Sequence, residues 1–176
     1  MIFGIGFGRT GTRSLALALR GFGYRVAHWA ELYRNLRMDL TLNPEVFVAY
    51  DALIDCTMPL MYRELWAPEH KFILTIRNVN DWYQSVIRHR RSCSTTALKR
   101  KLRKEIFGVE DLHEPSLKYA FLRHEINVKN FFRDKDNLLI LDVDSKDKWG
   151  LLCPFLGKER PDITYPHKNK TKKEKK

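Results

Sequence analysis

Cysteine is scarce in this chain of 176 residues: Cys56, Cys93 and Cys153 are three in number and far apart. That supply fits neither a disulfide framework nor the paired spacing of a zinc site. Structural thiols in a reducing compartment are the expected use. No apolar run approaches the ~18 residues of a membrane span, and no leader is expected ahead of the first strand, which starts at Met1. The reading is a cytoplasmic protein without a membrane partner. Repeats and long linkers are missing as well, so residues 1–166 are expected to form a single domain with a real core. Acidic residues are missing from two places. The end of the chain, "KNKTKKEKK", has six lysines and one glutamate, and "RHRRSCSTTALKRKLRKE", Arg88 to Glu105, has eight basic residues against one acid. Together they account for the net charge of +11 and leave the remainder near neutral. Residues 167–176 read as a solvated basic tail. The internal stretch reads either as a solvated helix face or as an electropositive wall beside an anionic ligand. No nucleic-acid recognition motif accompanies the charge, so no nucleic-acid partner is expected.

What is present is alternation. "MIFGIG", "YRVAHW", "DALIDC", "KFILTIR" and "NLLILDV" read as strands, and helices are expected between them. "TRSLALALRGFG" is a helix with an apolar face that ends at its glycines. "AELYRNLRM" and "NPEVFVAY" are shorter helical pieces, and "PLMYRELWA" is a helix begun by Pro59. "NVNDWYQSVIRHRR", a basic helical stretch, a long helix from about Pro115 to Arg133, and "KDKWGLLCPFL" closed by Gly157 complete the series. "KFILTIR" is a continuous apolar run, as a strand buried on both faces should be. Such alternation implies an α/β fold of three layers, a mostly parallel sheet flanked by helices. In that architecture ligands bind at the carboxyl ends of the strands.

The first strand runs into "GFGRTGTRSL", residues 6–15. Gly6 and Gly11 have the spacing of the phosphate-binding loop of nucleotide hydrolases, but Thr12 follows where that loop carries lysine. The nearest cation on the loop is Arg9. Gly8 and Gly11 allow a tight turn, and Thr10, Thr12, Arg13 and Ser14 bring amides, hydroxyls and charge to a helix N-terminus, where the macrodipole favours anions. The loop is expected to bind phosphate or a close relative. A second feature follows the fourth strand: Arg77 stands at its carboxyl end and Ser85 lies eight residues on, about two helical turns in. One strand-loop-helix unit therefore offers a second grip for phosphate.

These two segments resemble the sulfotransferase superfamily that uses 3′-phosphoadenosine-5′-phosphosulfate (PAPS). Arg9-Thr10-Gly11-Thr12 matches its first motif, with arginine where many members have lysine, and Arg77 with Ser85 matches its second. "GFGRTGTRSL" and "RNVNDWYQS" are similar to a small sulfotransferase-like branch, as are "RHEINVK", "LLILDV", "WGLLCPFLG" and "YPHKN". The resemblance implies a fold like that of the P-loop nucleoside-triphosphate hydrolases. It also implies PAPS as donor, adenosine 3′,5′-bisphosphate as product, and no required metal. It places Gly8 to Ser14 around the 5′-phosphosulfate and Arg77 and Ser85 on the 3′-phosphate. Arg9 then stabilises the charge that develops on the leaving phosphate.

The acceptor, a small molecule or glycan, needs a base for its hydroxyl or amine. Asp55 at the end of the third strand and His28 after the second are the two candidates, with His124 on the long helix as a third, read as a helix-surface or acceptor-site residue. The branch has Asp-x-Pro where this chain has "DCTMP". Two other readings stay open: a nucleotide kinase or hydrolase, with "LLILDVD" as its magnesium strand, and a nucleotide-binding relative without transfer.

Overall fold

The computed structural model describes residues 1–90, 95–110 and 114–167, residue 90 by its backbone alone. Cys93 and all of the basic tail but His167 lie outside the described residues. In chain order the elements are β1 (Ile2–Gly4), α1 (Thr12–Gly21), β2 (Val26–His28), α2 (Ala30–Arg34), α3 (Glu45–Ala49), β3 (Ala52–Ile54) and α4 (Met58–Met61). Then follow β4 (Lys71–Ile76), α5 (Val79–Arg90), α6 (Ala97–Phe107), α7 (Glu114–Phe131), β5 (Leu138–Asp142) and α8 (Lys148–Leu156).

All strand pairings are parallel, and the order across the sheet is β2-β3-β1-β4-β5. The path from β1 to β2 leaves to one side of β1 and the path from β3 to β4 crosses to the other. The carboxyl end of β1 is therefore a topological switch point, where a cleft opens.

Side-chain parity divides the core. Phe3, Ile5, Leu53, Phe72 and Leu74 point to one face, under α2, α4, α6 and α7, through Leu32, Met58, Leu102 and Val128. Ile2, Ala52, Ile54 and Ile73 point to the other, where Leu15 and Leu19 of α1 meet Trp149 and Leu152 of α8. Residues alternate between faces because strand side chains have a period of two. A smaller cluster of Phe7, Trp82, Leu117 and Phe121 sits beyond the strand ends and packs α5 and α7 against the cleft.

Two elements differ from the sequence reading. α2 stops at Arg34 because the side-chain amide of Asn35 donates to Glu31 O (2.8 Å), the carbonyl that a continuing helix would use, while Asn35 N turns to Leu32 O (3.1 Å). α4 covers four residues, and the chain after it closes through Leu65 N to Met61 O rather than extending to Ala67. β5, apolar up to its last residue, Asp142, is an edge strand, so Ile140 stays 36% exposed. A continuous apolar run does not distinguish an edge from a centre.

The packing is tightest where β1 leaves the sheet. A Cβ on Gly6 would lie 2.1 Å from Thr75 Oγ1 and 2.5 Å from Thr75 O. Gly6→Ala is expected to push the two strands apart and destabilise the fold by about 1–3 kcal/mol. A denaturant midpoint unchanged from wild type would show that the strands can part without strain.

Candidate active site

Residues 5–11 form the loop between β1 and α1, and side chains hold its carbonyls. Thr10 Oγ1 donates to Phe7 O (2.6 Å) and shares a hydrogen bond with Thr75 Oγ1 (2.6 Å). The indole of Trp82, fully buried on α5, donates to Gly8 O (2.9 Å). Arg77 Nη1 donates to Arg9 O (3.3 Å). With three successive carbonyls tied back, the loop is arranged to offer N–H groups, the requirement of an anion nest. Arg9 has φ 78° and Gly11 φ 95°. Gly11 is the N-cap of α1, and no side-chain hydrogen bond caps that start. The first-turn amides of Thr12, Arg13 and Ser14 accordingly open the helix at the loop, with its positive dipole end toward the cleft.

The second grip lies beside the first. Arg77 follows β4, and Ser85, 3% exposed, faces back from α5. Arg9 Nε donates to Ser85 Oγ (3.1 Å), which brings the two sequence-predicted motifs into contact. Arg77 Nε is buried and has no hydrogen-bond partner among the described residues. A buried guanidinium N–H without a partner is costly, and an anion between the motifs would satisfy it.

Asp55 and His28 arrive from neighbouring strands. Asp55, 7% exposed, accepts from Thr12 Oγ1 (2.7 Å) and from Cys56 N (2.8 Å). His28 Nε2 lies 3.2 Å from Thr12 Oγ1 and 3.6 Å from Asp55 Oδ2. The Thr12 hydroxyl gives its hydrogen to the carboxylate, so its oxygen is left to accept from Nε2–H. That pattern leaves the lone pair of the imidazole on Nδ1. The longer "DCTMP" segment is absorbed in a turn: Asp55 and Cys56 have φ 73° and 57°, and Met58 N donates to Asp55 O (3.1 Å). Asp55 so stays at the strand end, close enough that a Cβ on Gly8 would meet its oxygens at 3.3 and 3.4 Å. Burial, and then Asp55 itself, push the Cys56 thiol up to about 12, which keeps it protonated and unreactive.

The loop, Arg77, Ser85, Asp55 and His28 line one cleft of about 1040 Å³. Its far wall comes from α5 and α6, with Arg88, His89, Lys99 and Arg103, and its other end from Val143, Lys148 and Tyr165. His89 is held below the usual imidazole range by burial and by Arg9, with Lys99 adding and Asp55 opposing.

The whole chain answers to one family. The family model described as a sulfotransferase domain matches residues 1–174. The chain belongs to the sulfotransferase family. None of the curated proteins matches it. Sulfuryl transfer is thereby the class of chemistry to be placed on the cleft, ahead of the nucleotide kinase or hydrolase reading. The parallel sheet flanked by helices agrees with the P-loop-like fold expected of such a sulfotransferase.

Two features of this sulfotransferase were missed in the sequence. Trp82 stands in "RNVNDWYQS" with no role assigned to it, and its indole bond to Gly8 O needs the fold to be seen. His124 is not a helix-surface residue: it stacks on Phe7 at 4.4 Å and its Nε2–H donates to Ile5 O (2.8 Å). Its imidazole supports the end of β1. Burial lowers its pKa to about 4, against a weaker opposing effect of the Ile5 carbonyl. The unfolded chain takes up this proton near 6.5 and the folded chain only near 4, so stability is full above pH 6.5 and falls as pH drops toward 4. The loss is of the order of 2–3 kcal/mol. His124→Gln, which can still donate to Ile5 O, is expected to flatten this slope in denaturant titrations at pH 7 and pH 4.5.

Proposed function

We propose that this protein transfers the sulfuryl group of PAPS to a hydroxyl or amine of an acceptor bound in the cleft. One observation carries the reading: the carbonyls of Phe7, Gly8 and Arg9 are each occupied by a side-chain donor, where Arg77 Nε is buried without a partner among the described residues. A loop built in this way suits an anion with two separated phosphate groups. The amides at the start of α1, with Arg13 and Ser14, hold the 5′-phosphosulfate. Arg77 and Ser85 hold the 3′-phosphate.

The donor supplies a sulfur with a good leaving group, and the chain supplies charge and a base. Arg9 is permanently cationic, so it stabilises negative charge on the departing phosphate without giving a proton. His28 takes the acceptor proton at Nδ1. Asp55 and the Thr12 hydroxyl fix its tautomer and stabilise the imidazolium, the division of labour known from serine hydrolases. Asp55 is therefore a positioning residue.

Binding is tested before turnover. In excess chelator, adenosine 3′,5′-bisphosphate at a hundredfold over its dissociation constant adds about 2.7 kcal/mol to the native state, which raises the melting temperature by roughly 5–10 °C. ATP with magnesium is expected to do less. A shift with ATP–magnesium alone would refute the donor assignment. Arg77→Ala should weaken the bisphosphate by about 1.5–3 kcal/mol more than adenosine 5′-monophosphate, whose smaller loss reflects the freed Arg9 carbonyl. Equal losses for the two nucleotides in calorimetry would mean that Arg77 does not serve the 3′-phosphate.

Transfer is tested on the donor itself. Arg9→Ala should slow the hydrolysis of PAPS to sulfate by about two to three orders of magnitude while donor binding changes little. Hydrolysis at the wild-type rate with weakened binding would reduce Arg9 to an anchor.

A further inference from the structure

The basic stretch in α6 divides by exposure. Arg100, Lys101 and Lys104 are exposed, whereas Lys99 and Arg103, one turn apart, are half-buried and line the cleft. Lys104 turns away to Glu110 (3.5 Å). Leu102 and Ile106 of the same helix also line the cleft and join the apolar core beneath it. That part of the wall is therefore cationic at its rim and apolar at its floor.

The α6 part of the wall is tied to the base through a chain of aromatic contacts. Trp29, next to His28, stacks on Tyr33 with ring centroids 5.7 Å apart. Tyr33 OH shares a hydrogen bond of 2.5 Å with Thr96, the N-cap of α6, and Lys99 Nζ stands 5.6 Å over the Tyr33 ring. The path from His28 through Trp29 and Tyr33 to Lys99 thus encloses the side of the cleft that faces the base. Arg77 follows β4, and Ser85 lies on α5.

We infer that Lys99 and Arg103 bind an anionic group of the acceptor, so that the substrate class is an apolar hydroxyl or amine compound bearing a carboxylate, sulfate or phosphate. The inference rests on the sulfuryl-transfer reading. The anionic group docks on α6, the body lies against Trp29, Leu102 and Ile106, and the nucleophile reaches His28. The acceptor oxygen or nitrogen forms the new bond to sulfur, and its proton passes to His28 Nδ1. The bond from sulfur to the bridging oxygen breaks, and the electron pair leaves with adenosine 3′,5′-bisphosphate.

A matched pair of probes tests this: 6-hydroxy-2-naphthalenesulfonate and 2-naphthol, which differ by one sulfonate, titrated calorimetrically with the bisphosphate saturating. The sulfonate is expected to bind about tenfold more tightly or better, the equivalent of about 1.4 kcal/mol. In the Lys99→Ala/Arg103→Ala protein the ratio should fall to within about twofold, with bisphosphate affinity unchanged. Arg100→Ala should keep the full ratio. Lys99→Gln, which retains the stem over Tyr33, gives a milder variant should the double substitution fail to fold, and is expected to lower the ratio by at least about threefold. Equal binding of the two probes to wild type, no binding of the sulfonate, or a ratio indifferent to these variants overturns the inference. So does loss of bisphosphate affinity in a folded variant, which would assign the wall to the donor. If wild type does not bind the bisphosphate, the donor reading fails on its own, and the pair titrated without nucleotide still judges the wall.

Discussion

A loop that turns its N–H groups toward a ligand must send its C=O groups somewhere else, and a buried carbonyl needs a donor. In this protein the donors are three side chains from three places. The Thr10 hydroxyl serves Phe7 O, the Trp82 indole serves Gly8 O and the Arg77 guanidinium serves Arg9 O. Much of the surrounding architecture follows. Trp82 has to sit on the first turns of α5, so α5 must start directly after β4, and that places Ser85 one turn further along the same wall. Phe121 and Phe7 then close around the Trp82 ring, at 4.5 and 6.1 Å. The satellite cluster beyond the strand ends is the support of this hydrogen bond as much as a piece of core.

A carboxylate beside an anion-binding loop is an electrostatic liability unless its lone pairs are employed. Asp55 has two donors of its own, the Thr12 hydroxyl and the Cys56 amide, and an imidazole within ion-pair distance. Its Oδ2 is shared between the Thr12 hydroxyl and the imidazole of His28 at the end of β2. Thr12 links the two halves of the site: its amide belongs to the helix start and its hydroxyl to Asp55. Replacing the hydroxyl would therefore disturb the base and not only the donor grip.

The order of elements was legible because each strand is a short apolar run bounded by turn residues and each long helix has a signalled end, as at Gly157. The two phosphate motifs were legible because they are local, each within one strand-loop-helix unit. The end of α2 depended on a side chain competing for a backbone carbonyl, and the edge position of β5 on pairing partners far away in sequence. Neither leaves a periodic trace. His28, Thr12 and Asp55 could be named singly, but their meeting requires β2 and β3 to lie side by side, a fact of topology. His124 shows the opposite failure: a polar residue on a long helix suggests solvent, and here a carbonyl at the end of β1 claims it.

The turn after β3 carries two consecutive non-glycine residues in the left-handed region, Asp55 and Cys56. Each such residue stores of the order of 1 kcal/mol of backbone strain. A chain optimised for persistence alone would place glycine at the second of them and relax. This one holds the tension where two strands deliver their side chains to the loop, so the gain in robustness available there would come with a looser carboxylate. Durability and aim are traded against each other within two residues.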